Sequence, residues 1–200
     1  MSFFATIPAI DIKRLLPFLD FTDFRLWCAL IRVEPISNGG CVLVATQGHY
    51  LATMRSQATA LEAFSLQMSP RFAKALQTES LWDAEVVVES ISQPAKIIRA
   101  GQVVYIHPGS PVSDFEFPQW RKVIPADEDL LPGLIDAFDP KYISRALRFV
   151  RWEGGDYDEN SVRFFHKPDG PSVIRKRSMS VTVMPMKNQD FTGAGEWLKP

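Results

Sequence analysis

The stretch that most constrains this chain is Asp139-Pro-Lys-Tyr-Ile-Ser-Arg-Ala-Leu-Arg-Phe-Val-Arg-Trp152. Asp139 is a good N-cap, and Pro140 suits the first helical position because its missing N–H would be unpaired there anyway. Ile143, Ala146, Leu147 and Val150 then recur at i, i+3, i+4 and i+7, which predicts a helix with one packing stripe. Lys141, Arg145 and Arg148 recur on another face and make a row of cations, the usual form of a surface that meets a polyanion or simply faces water. The start recurs: Ser69-Pro-Arg-Phe-Ala-Lys-Ala-Leu76 has the same order of cap, proline, base, aromatic and leucine, so the chain reads as a set of repeats.

An earlier helix is predicted after Pro8, with Ile12, Leu15, Leu16 and Leu19 as its stripe, Lys13 and Arg14 off it, and Pro17 ending it early. Strands are expected at 26–34, 41–46 and 50–55, the first two joined by the Ser37-Asn-Gly-Gly40 turn, and again at 64–68. A meander follows at 84–89, 95–100 and 102–107, then a proline-rich loop over 108–132. The last runs lie at 161–166, 172–176 and 180–184. A strand, a helix and about three strands thus appear three times in that order, which is an α+β pattern with antiparallel sheets and the helices on one face.

With 46% hydrophobic and 22% charged residues in 200, the chain is a packed globular protein, and its net charge of −1 means that any DNA contact needs a segregated cationic surface. No apolar run reaches the roughly 20 residues of a membrane span, and the start lacks an export signal, so the expected location is the cytoplasm. Cys28 and Cys41 lack ligand or redox spacing and read as buried thiols. His49, His107 and His166 fall in no metal or catalytic pattern, and no phosphate loop or nucleophile elbow is present. The acids Asp127, Glu128 and Asp129, and the group Glu153, Asp156, Asp158 and Glu159, lie in loops with no strand to fix metal geometry. The expectation is a binding protein with no enzyme activity and no cofactor.

Val44-Ala-Thr-Gln-Gly-His-Tyr-Leu51, Phe117-Pro-Gln-Trp-Arg-Lys-Val-Ile-Pro125 and Val183-Met-Pro-Met186, in that order and spacing, resemble segments of the beta subunit of bacterial DNA polymerase III, the sliding clamp. The resemblance covers about residues 3 to 187 and implies a DNA clamp fold of strand-helix-strand repeats, with helices lining a hole and sheets outside. A bacterial clamp subunit has six repeats, whereas this chain has three. The resemblance implies a complete two-repeat domain over 3–125, an added half-domain over 126–187 and a tail over 188–200; a closed ring would need about four copies.

The same resemblance implies two sites. Lys13, Arg14, Arg71, Lys74, Lys141, Arg145 and Arg148 would face the phosphates of double-stranded DNA without reading sequence. A cleft for polymerase or other clamp-binding proteins would be walled by Thr46, Gly48, His49, Tyr50, Leu51, Pro125, Val173, Val183, Met184, Pro185 and Met186. Tyr50 stands where the family has arginine, and Asn188 where it has a final leucine. Function is therefore expected to be that of a processivity factor. The alternative is a clamp-fold interaction module, carried by a phage or mobile element, that does not encircle DNA and acts on host replication proteins. Trp197 and Leu198, on a joint at Gly193-Ala-Gly195, suggest a tail that folds back on the cleft.

Overall fold

The computed structural model describes residues 4–78, 82–108, 112, 115–132, 140–151, 162–168 and 170–184. Strand β1 (Ala5–Pro8) leads into helix α1 (Ala9–Leu15), which Pro17 turns into a 3₁₀ segment over Leu16–Phe18. Strands β2 (Leu30–Pro35), β3 (Cys41–Thr46), β4 (Tyr50–Ser56) and β5 (Thr59–Ala60) follow. The second repeat holds β6 (Phe64–Gln67), α2 (Pro70–Thr78), β7 (Ala84–Val88), β8 (Lys96–Arg99) and β9 (Gln102–Ile106). The third holds β10 (Leu131–Pro132), α3 (Pro140–Arg151), β11 (Arg163–His166), β12 (Ser172–Lys176) and β13 (Met179–Val183). The predicted cap of α2 is present, with the Phe72 N–H donating to Ser69 Oγ at 3.2 Å. Asp139, the expected cap of α3, lies outside the described residues, as do the acids Glu153, Asp156, Asp158 and Glu159.

The strands form two antiparallel sheets, of order β5-β1-β7-β8-β9 and β10-β11-β12-β13-β4-β3-β2-β6. The first two repeats exchange strands: β1 pairs with β7, and β6 pairs with β2. The third repeat joins them through β13 and β4, with Val183 opposite Tyr50 and Thr182 opposite Leu51. A single ladder therefore runs from the third repeat into the first.

One core lies between sheets and helices and draws Ile12, Phe18, Leu43, Phe72, Val86, Phe149 and Val181 from all three repeats. A second, smaller cluster covers the opposite face of the large sheet, where Phe117 and Trp120 pack on Leu30, Val44 and Leu51. Strands β3 and β4 are thus buried on both faces, which is why Val44 and Ala45, neighbours in sequence, are both fully buried.

Two expectations are corrected. Leu26–Ala29 is a 3₁₀ turn, and the strand begins only at Leu30. Asp23 accepts the Arg25 N–H at 2.8 Å and the Cys28 N–H returns to the Arg25 carbonyl at 2.9 Å, so local bonds curl a run whose composition favours strand. In α3 the buried positions are Ala146, Phe149 and Val150, with Ile143 and Leu147 only half-buried. The large ring of Phe149, in edge contact with Phe18 at 5.0 Å, rotates the packed stripe towards itself.

His107 follows β9 and lies edge-on to Phe72, with ring centroids 4.7 Å apart. Burial pushes its pKa below the ordinary 6.5, and a backbone hydrogen bond only partly opposes this. The unfolded chain then binds the proton more readily, so this contribution to stability is complete above pH 6.5 and is lost as pH falls below it. The expected result is a melting temperature that declines from about pH 7 to 5.5, with a shallower decline in His107→Gln.

Candidate functional site

The turn between β3 and β4 is built by Thr46, whose hydroxyl donates to the Tyr50 carbonyl at 2.8 Å and accepts the Gly48 N–H at 3.1 Å. Gly48 sits at φ +96°, where a side chain is strained, and a Cβ there would lie 2.6 Å from the Arg25 guanidinium. Arg25 donates to the Gln47 carbonyl at 2.9 Å and lies 4.8 Å from the ring of Trp27. Its hydrogen bonds to Asp23 hold that carboxyl well below the usual range. Gly48→Ala is therefore expected to cost roughly 1–3 kcal/mol, read as a drop of about 2–4 °C in melting temperature per kcal/mol.

Beside this turn opens a cleft of about 190 Å³ lined by Trp27, Thr46, Gly48, Tyr50, Leu51, Pro118, Gln119, Trp120, Val123, Thr182 and Met184. Besides Trp27, three parts of the chain meet here. The turn gives Thr46, Gly48 and Leu51, the segment after the second repeat gives Trp120 and Val123, and the end of β13 gives Thr182 and Met184. The Met184 N–H donates to the His49 carbonyl at 3.0 Å and fixes that third wall. Trp120 is held by Glu34, which accepts its Nε1–H at 3.2 Å and pairs with Arg121 at 2.6 Å, while Arg121 stacks 4.1 Å from the indole. Burial opposes ionisation of Glu34, but hydrogen bonds from Trp120, Arg32 and Arg121 outweigh it and hold the carboxyl below its ordinary value.

Of the residues expected from sequence, Thr46, Gly48, Tyr50, Leu51 and Met184 line the cleft. The Tyr50 ring packs into the core with Phe18 at 5.1 Å and Tyr142 at 5.2 Å. His49 is exposed and stacks on Tyr142 at 5.7 Å. Val173 and Val183 are fully buried, and Pro125 is buried away from the wall. Pro185, Met186 and the 188–200 tail lie outside the described residues.

Trp27, Pro118, Gln119, Trp120, Val123 and Thr182 were not foreseen. Two-residue alternation back from Met184 would have found Thr182, and Trp120 stood within a motif without a role assigned to it. A wider depression of about 790 Å³ adjoins the cleft at Pro118, Gln119 and Trp120, but none of the described residues of the third repeat reaches it.

The helix cations fall into two groups. On α1 and α2, Arg71 and Lys74 are exposed, whereas Lys13 donates to the Gln77 carbonyl at 3.3 Å and Arg14 pairs with Asp11 at 3.1 Å with its side chain only 17% exposed. On α3, Lys141, Arg145 and Arg148 are exposed. Arg145 and Arg148 line a polar depression of about 410 Å³ with Leu16, Pro17, Leu19, Asp20 and Gln47. Arg145 also donates to the Tyr50 hydroxyl at 2.7 Å. Asp127 and Asp129 are engaged by Arg175 and Lys167, each at 2.7 Å, and among the described residues no group of acids, histidines or cysteines is placed to hold a metal.

Helices against antiparallel sheets, strand exchange between consecutive repeats and a ladder continued into the next repeat define a DNA clamp fold. Solved structures of bacterial DNA polymerase III beta sliding clamps share this fold. The Helicobacter pylori clamp bound to a DNA ligase peptide superposes with a TM-score of 0.67 at 14% identity, over 94% of this chain and 66% of that one. The Bacillus subtilis clamp gives 0.64 at 14%, over 92% and 64%. The Pseudomonas aeruginosa beta subunit gives 0.58 at 16%, over 93% and 67%, so this chain spans about two thirds of each. No protein-family model and no curated protein matches the sequence. No helix among the described residues is long and apolar enough to cross a membrane.

Proposed function

We propose that this chain is a sliding-clamp-like replication accessory protein of the cytoplasm, without catalytic activity, that holds apolar peptide motifs of polymerase-type proteins in its cleft and associates with duplex DNA through its helix cations. In this reading, 3–125 is the two-repeat domain and 126–187 the added half-domain. The observation that carries it is the meeting of the turn, the Trp120 segment and β13 on one apolar cleft. A pocket with leucine, methionine and tryptophan walls suits a leucine or phenylalanine anchor, each worth roughly 1.5–3 kcal/mol on burial. The Helicobacter pylori clamp, similar in fold, has been captured with a DNA ligase peptide, which supports a peptide as the occupant.

The test is fluorescence anisotropy of such a labelled ligase peptide titrated with the full chain and with Met184→Asp. Met184 is 41% exposed, so its exchange leaves the fold intact. A loss of at least about tenfold, roughly 1.4 kcal/mol, is expected in the variant. Equal affinity, or no binding by the unmodified chain, overturns the cleft assignment.

A further inference from the structure

The last residue that the structure describes is also a wall of the cleft. Strand β13 closes at Val183, and Met184 follows, lining the cleft with its N–H tied to the His49 carbonyl at 3.0 Å. Whatever comes after Met184 therefore starts at the cleft itself. The floor is apolar, with Leu51 and Trp120 buried, and its rim leaves Val123 and Met184 close to half exposed. Concave apolar surface of this kind is covered in use. The polar groups of two of its walls are already paired: the Thr46 hydroxyl with the Tyr50 carbonyl and the Gly48 N–H, the Trp120 indole N–H with Glu34. An occupant thus has to supply aromatic and aliphatic surface more than charge.

We propose that the cleft is occupied, in the chain without a partner, by the chain's own Trp197-Leu198 pair. The proposal rests on the peptide-binding reading of the cleft and adds a competitor to it. From Met184 the sequence runs Pro-Met-Lys-Asn-Gln-Asp-Phe-Thr-Gly-Ala-Gly-Glu-Trp-Leu-Lys-Pro200, so residues 185–196 separate the cleft wall from the pair. Twelve residues fully extended reach roughly 40 Å, enough to leave the wall and return to it. The reversal falls at Gly193-Ala-Gly195, directly before the pair, where glycine adopts turn conformations closed to other residues. Phe191 is the other aromatic residue beyond Met184, but it precedes both glycines. Tethering this close gives an effective concentration of about 1 mM, so a pair that binds with an intrinsic dissociation constant of only about 0.1 mM weakens an outside peptide about tenfold. A partner with a tighter motif displaces the pair, and weak apolar peptides are kept out.

Two anisotropy titrations on the full chain test this. In the first, the labelled DNA ligase peptide is titrated with the unmodified chain and with the Trp197→Asp, Leu198→Asp variant, which keeps the length of the segment and removes its anchors. The variant should bind about tenfold more tightly. In the second, a labelled peptide of residues 188–200 is titrated with that variant, whose cleft is open, and with the same variant carrying Met184→Asp. Binding is expected in the first case and a loss of at least about tenfold in the second. Equal affinity of the ligase peptide for the unmodified chain and the double variant overturns the self-occlusion and leaves the cleft reading standing. A 188–200 peptide that stays free while the ligase peptide binds does the same. A 188–200 peptide held equally with and without Met184→Asp also overturns it, because its site then lies elsewhere, and failure of both peptides to bind overturns the occlusion together with the cleft reading.

Discussion

Replacing Tyr50 by alanine is expected to cost about 3–5 kcal/mol, the range for deleting a buried aromatic ring. The ring is 2% exposed and edge-on to Phe18 and Tyr142, so its removal leaves a cavity where the first repeat meets α3. Its hydroxyl donates to the Pro17 carbonyl at 3.2 Å and accepts from Arg145 at 2.7 Å. Burial raises the phenol's pKa, the Arg145 hydrogen bond opposes this only in part, and the group stays neutral under ordinary conditions. Tyr50→Phe keeps the ring and should cost only about 1 kcal/mol. Tyr50→Arg, which restores the residue usual in clamps, should cost more than phenylalanine because it brings a second guanidinium beside Arg145 in a partly buried site. Denaturant unfolding of the three variants checks the order, and an alanine cost below the phenylalanine cost would show that the ring does not join the repeats.

That residue also shows how far the sequence could be read. The repeats, the α2 cap and nearly all strands were legible because capping and two-residue alternation act locally. Tyr50 was expected in the cleft wall, and it does border the cleft, but consecutive strand residues point to opposite faces. Leu51 meets Trp120 while the Tyr50 ring enters the core. Which face a residue serves depended on β13 pairing with β4, a contact between residues about 130 apart that no local pattern encodes. Val183, opposite Tyr50, turns to the core in the same way, whereas Val173, opposite Thr182, shares the face of Leu51 but is fully buried outside the wall. Trp27 left no signal at all, since its orientation follows from Arg25, whose own position follows from the Gly48 turn.

The cationic surface gives the second large effect. If the exposed helix cations meet phosphates, anisotropy of a duplex oligonucleotide should show binding that ignores sequence and weakens with salt, with a log-log slope of roughly −0.9 per contacted phosphate. Arg145 is a poor residue to change, because its loss would also release Tyr50. Arg71 and Arg148 are exposed and offer a cleaner pair, so the Arg71→Glu, Arg148→Glu variant should flatten the slope by roughly 1.8, for two contacts of about 0.9 each. Arg14→Gln should leave the slope unchanged while lowering stability, because its charge is already spent on the buried Asp11. Asp20 supplies a test of opposite sign. Hydrogen bonds from the Thr22 hydroxyl and N–H, at 2.7 and 2.8 Å, keep its carboxyl below the ordinary range, so it stands as an anion in the depression lined by Arg145 and Arg148. Asp20→Asn removes a charge that repels phosphate, and should tighten binding at low salt. A double arginine variant with the slope of the unmodified chain, together with an Asp20 variant of unchanged affinity, would take α3 out of any contact with DNA.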